Sequence, residues 1–374
     1  MIPYVMLLFF PLLFACVSNY PEKHRRPFRT FLAIGREKEI MQKSFMLPVF
    51  FIYFFLLLAL RHQTLGRDLF IYRYYFNKNV DLSFGEILAE KDVLYELLSW
   101  SVSQFTDNFG VLLVIVAAIC VFPIAKVYCE DREYGYLKMT LFVNMTTFIV
   151  LFSSLRQAIA FSLGLWAYTY VRKRKLIKFI IAAFIAIGFH HSAFMVFFLY
   201  PLYFLKIRKK HVLFIFPAIL VVYLFNSRIF IVCLSWLTKL LGEDYEVKLS
   251  STGAMTTLLL FVLFGLFSFI FPDENKMDEE TFGLRNYLIF AIFIQCFAPV
   301  HTLAMRMNYY FILFIPILLP KVLKHTKNTL ENVRPYAEYV LVGFFTLYYL
   351  YIVYRGSSTG ISALDTFPYV PFWK

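Results

Sequence analysis

The chain has 374 residues, 60% of them hydrophobic and only 16% charged, where a soluble domain carries roughly 25% charged residues. Such a composition excludes a water-soluble globular protein. The net charge of +13 is better explained by where the basic residues fall between apolar segments than by a nucleic-acid surface.

Apolar runs long enough to cross a bilayer core as helices predict spans near 2–18, 44–60, 109–129, 136–153, 157–171, 177–189, 193–205, 211–225, 254–271, 286–303, 308–323 and 336–354. The first run, Ile2 to Val17, has no basic residue before it and no A-x-A-like site after it, so it reads as a retained helix and not a cleaved signal. The segment 61–108 is too polar to span and rich in Tyr, Asp and Glu. A second polar stretch, 226–253, holds a weaker amphipathic piece at 229–241 that fits an interfacial helix. The fold class expected is an all-α polytopic membrane protein with about 12 transmembrane helices, organised as one integral membrane domain over 1–374. The cysteines Cys16, Cys120, Cys129, Cys233 and Cys296 show no C-x-x-C pairing and read as small buried hydrophobes.

Basic residues orient the spans. One alternating set of connections holds 25 of the 37 Lys and Arg residues and the other holds 12. By the positive-inside rule the richer set is cytoplasmic. Segment 61–108, segment 226–253 and both termini are then outside. Between the cytoplasmic clusters "RKRK" and "KIRKK" the chain must go out and return within 177–205. Each arm of about 13 residues reaches roughly 20 Å, short of the ~30 Å core. This hairpin is expected to be re-entrant or to sit in thinned membrane. Its tip, Gly188 to Ser192, carries His190 and His191 and would line a cavity open to the outside.

Ionisable residues at membrane segments are costly to keep and so mark function. Four groups qualify on the outer side: Asp68 between Arg67 and Arg73 in "LGRDLFIYRYYF", Arg156 in "SSLRQAIAF", the His190–His191 tip, and Arg306 in "LAMRMNYYF" at an expected outer turn. Each also has a structural explanation, since Asp68 can simply pair with Arg67 and the arginines can snorkel from helix ends. Their shared sidedness favours function. An arginine fork suits diphosphate, and His or Asp can take a proton from a sugar hydroxyl. With neither H-E-x-x-H nor D-x-D present, no metal site is expected.

Several short motifs run in order along the chain. They are Gly66, Asp68, Tyr72 and Phe76 in the first outer segment; Leu155, Arg156 and Gln157 entering a span; His190, Ser192 and Ala193 at the hairpin; Arg306, Tyr310 and Phe311; and the ending "FPYVPFWK". This pattern resembles the EpsG-like family of polysaccharide polymerases, which includes Wzy-type O-antigen polymerases. The resemblance implies a metal-independent membrane glycosyltransferase without cofactor, similar in fold to the lipid-carrier-dependent (GT-C-like) enzymes. It would polymerise oligosaccharide repeats on undecaprenyl diphosphate, as donor and acceptor, at the outer face of the bacterial inner membrane. Membrane lipids and a chain-length regulator are the implied partners, and nucleic acid is not. His190, Asp68, Arg156 and Arg306 take the catalytic roles, with Gly66, Arg67, Tyr72, Arg73, Gln157, Ser192 and Tyr310 contacting substrate. His190 falls in the motif position, so His191 is expected to pack or bond locally. A flippase for the same lipid-linked unit and a membrane acyltransferase are the rival readings.

Overall fold

A computed structural model describes residues 1–18, 36–241, 253–360 and 363–374. Among these residues there is no strand, only two isolated bridges, and the all-helical expectation holds. The helices are α1 (Ile2–Ser18), α2 (Arg36–Ala59), α3 (Leu69–Lys78), α4 (Phe84–Leu88), α5 (Val93–Ser103), α6 (Phe109–Tyr128), α7 (Gly135–Asn144), α8 (Thr146–Ser153), α9 (Leu155–Arg172) and α10 (Leu176–Phe189). A 3₁₀ segment, His191–Phe198, leads to α11 (Leu199–Tyr203), α12 (Val212–Leu224), α13 (Asn226–Leu241), α14 (Gly253–Ile270), α15 (Glu279–Gln295), α16 (Thr302–Ile312), α17 (Ile315–Lys324) and α18 (Arg334–Thr359).

The expected number of about 12 transmembrane helices is not confirmed by the helices formed. Among the described residues, by length and apolarity only α6 and α18 could each cross a membrane alone, and counting three bent pairs as single spans raises the number to five. The α7–α8 pair bends by 61° and α16–α17 by 45°. The segments Lys209–Leu224 and Asn226–Cys233 meet at 78°. Met145, between α7 and α8, is extended (ψ 144°), which interrupts the helical hydrogen bonds of what reads in the sequence as one run. The expected span 286–303 is likewise shifted: α15 starts at Glu279 and ends at Gln295. Cys120 and Cys296 are buried as expected, but Cys233 is exposed.

The chain forms two compact units, one of residues Met1–Phe194 with Tyr336–Lys374 and one of Met195–Pro335. In the first, an aromatic core joins α1, α2, α7, α8 and α18. The Phe54 and Phe148 rings stack at 5.3 Å, Phe142 packs edge-on against Phe54 at 5.4 Å, and the Tyr349 hydroxyl donates to the Tyr4 carbonyl at 3.1 Å. The aromatic C-terminal tail is laced to the end of α2. His62 N–H donates to Val370 O at 2.7 Å, and Phe372 N–H to Leu60 O at 2.9 Å. In the second unit α15 carries the fully buried Arg285. Its guanidinium meets Glu274 at 2.9 Å and lies over the Phe269 ring at 4.2 Å, so this residue of an expected cytoplasmic connection is a core residue.

Candidate functional site

In the first unit, Arg156 from α9 and the two histidines that follow α10 converge on Asp92. This residue precedes α5, and its backbone carbonyl accepts from Tyr95 N–H and Glu96 N–H. Its side chain caps nothing and points elsewhere. One carboxylate oxygen lies 3.1 Å from His190 Nδ1 and 3.4 Å from Arg156 Nη1. The other accepts from His191 N–H at 3.1 Å and lies 3.3 Å from His191 Nδ1. The carboxylate is 5% exposed, His190 14% and His191 64%.

The break after α10 makes this possible. His190 is extended (φ −161°, ψ 123°), so it and the next residue leave the helical spiral and both can turn to one partner. Gly188 matters for the approach: a Cβ there would lie 2.6 Å from Leu94 Cδ1 on α5. Bare glycine therefore lets α10 close on α5.

One turn along α5, Glu96 receives Arg156 Nη2 at 2.5 Å and Asn79 Nδ2 at 2.8 Å. Arg156, near the start of α9, thus divides its fork between two acids and lies over the rings of Tyr95 (5.2 Å) and Tyr72 (5.6 Å). Burial alone would raise the Asp92 carboxyl. The hydrogen bonds from both histidines, with the His190 charge, overcome that and hold it well below the usual carboxylate range. For Glu96 burial wins over the Arg156 charge, and its carboxyl is raised. Two acids one helical turn apart are thus driven in opposite directions, a pattern found where protons are handled. Tyr95 Oη and Arg156 Nε are buried without a hydrogen-bond partner, so the cluster has unused polar capacity.

The other expected residues distribute as follows. Gln157 Nε2 donates to the buried Ser192 Oγ at 3.4 Å, beside the cluster in sequence. Asp68 accepts from Ser154 Oγ at 2.8 Å, and its N–H donates to Ser153 Oγ at 3.2 Å. These contacts tie the first outer segment to the α8–α9 junction. Gly66 sits at φ +131°, with a built Cβ 2.2 Å from Phe152 O, so only glycine fits there. Arg67 pairs with Asp365 at 3.2 Å, both more than half exposed. Arg73 is exposed on α3 and Tyr72 faces Arg156. Arg306 and the buried Tyr310 belong to the second unit. Arg306 lies within α16 and is exposed, not at a turn.

Asp92, Glu96, Asn79 and Tyr95 are absent from the expected set. In "EKDVLYELL" the two acids stand four apart, on one helical face, which was the available signal. In a polar outer segment such acids look like a solvated face. Asp92, His190 and His191 also form a group whose potential metal-ligating atoms all lie within 4.8 Å of one another.

The fold and this cluster define a helical membrane protein with a buried acid–histidine–arginine site. Its sequence matches the model of the EpsG family over residues 44–370. The chain belongs to that family of polysaccharide polymerases. No curated protein and no solved structure gives a significant match.

Proposed function

We propose that this polymerase joins oligosaccharide repeats carried on undecaprenyl diphosphate, at the outer face of the bacterial inner membrane. The observation that carries the reading is the Asp92-centred cluster: a buried carboxylate engaging His190 at 3.1 Å and Arg156 at 3.4 Å in an otherwise apolar protein. The acceptor hydroxyl oxygen bonds to the anomeric carbon of the growing glycan. The carbon–oxygen bond to the lipid diphosphate breaks, and the diphosphate departs with the bonding electrons. The hydroxyl proton is taken up at the cluster, where His190 orients or deprotonates the acceptor. Arg156 already serves two carboxylates, so its main part is to hold the acids in place. Arg306, through its family motif, is the proposed contact for the diphosphate. Asp68 is assigned a supporting role, because it braces the segment leading to α9.

The three bent helix pairs are a feature shared with transporters, which keeps a flippase as the second reading. A deletion strain separates the two. Loss of long glycan ladders with single-repeat product retained supports the polymerase, and loss of all surface glycan supports a flippase.

A further inference from the structure

Two adjacent histidines turn the same ring nitrogen, Nδ1, toward the two oxygens of one buried carboxylate, at 3.1 and 3.3 Å. A single oriented imidazole would need one oxygen only. The three donor groups lie within 4.8 Å of one another. A tetrahedral ion with bonds of about 2.0–2.1 Å sets its ligands roughly 3.3 Å apart, so side-chain rotations that draw the donors together by up to about 1.5 Å would bring them to a coordination shell. We propose that Asp92, His190 and His191 bind one divalent first-row cation, with Zn²⁺ favoured by two imidazoles and a carboxylate.

Two further observations fit. Arg156 and the His191 N–H hold the carboxylate from outside, as second partners do around metal ligands. Access is provided on the His191 side, where the side chain is 64% exposed while Asp92 is 5% exposed. Three protein ligands leave a position for a substrate oxygen. A hydroxyl bound there loses its proton to water more readily, with His190 then serving as ligand. That use rests on the polymerase reading; cation binding itself does not.

The test uses untagged full-length protein in detergent, stripped with EDTA and titrated with Co²⁺, then with Zn²⁺. One equivalent of Co²⁺ with a visible d–d absorption, displaced by Zn²⁺, is expected. His191→Ala, at an exposed position that folding should tolerate, should weaken binding by more than about 100-fold, beyond the roughly 10–100-fold typical of outer-shell changes. His62→Ala should leave it unchanged. Absence of a saturable equivalent, or equal Co²⁺ affinity in His191→Ala, overturns the site. If Co²⁺ binds as described while the deletion strain keeps its ladders, the cation site stands and the polymerase reading fails.

Discussion

Asp92 and His190 meet at 3.1 Å although 98 residues of chain separate them. Their meeting depends on α5 and α10 packing closely, and at Gly188 an added Cβ would lie 2.6 Å from Leu94 Cδ1. Filling that contact should part the pair. Gly188→Val is expected to cost about 1–3 kcal/mol, as overpacking does, and to shorten the glycan ladder. Because Leu94 supplies the obstructing atoms, Gly188→Ala combined with Leu94→Ala should recover much of both. Ladder length and thermal unfolding in detergent would read this out. A harmless Gly188→Val would mean that the helix approach does not control the site.

Arg156 bridges Asp92 and Glu96 with separate nitrogens, a geometry that lysine, with a single ammonium, cannot reproduce. Arg156→Ala leaves two buried carboxylates without their cation. The expected cost is roughly 3 kcal/mol, at the low end for buried pairs because Arg156 is 25% exposed. Arg156→Lys should recover less than half of that stability and little of the ladder. Full recovery by lysine would assign Arg156 a role as bulk positive charge only.

Several elements of this site are legible in the sequence. The helix break at Gly188–Ser192 is visible as a hairpin too short for two full crossings, and α10 does end there, at His190. Helix type follows from apolar runs. The breaks inside those runs follow less directly: Leu313 stands between Ile312 and Phe314, whereas Met145 is flanked by Asn144 and Thr146, a polar interruption too short to divide the run by composition alone. His190 stands out because an imidazole is conspicuous among Phe and Ile. Asp92 is inconspicuous among the acids of a polar segment, and its importance comes from burial that tertiary contacts impose. Arg306 was misplaced for a similar reason: helix α16 begins four residues before it, after the 296–301 stretch that reads as part of a span.

Gly66 combines a left-side φ of +131° with a backbone oxygen 2.2 Å from its would-be Cβ. A side chain there faces both strain and a rigid obstacle, so Gly66→Ala should lower the yield of folded protein and abolish ladders. Ser154→Ala removes the 2.8 Å bond to Asp68 without any clash, at about 1 kcal/mol. If Gly66→Ala folds normally, the turn is not what seats Asp68 against α8.

The orientation derived from the 25-to-12 split of basic residues puts residues 61–108 and the C-terminal tail outside. Asn79 is buried against Glu96, so a probe belongs at its exposed neighbour Lys78 and at the exposed Ser358. In a cysteine-free background, Lys78→Cys and Ser358→Cys should each react with a membrane-impermeant maleimide in spheroplasts. A cysteine at Lys173, in the "RKRK" cluster, should react only after lysis. The labels also bear on chemistry, because Lys78 ends the helix next to Asn79 and so reports the side on which Glu96, Arg156 and Asp92 lie. Reaction of Lys78→Cys only in broken membranes would move the whole cluster to the cytoplasmic face. A polymerase acting on exported lipid-linked repeats could not use it there.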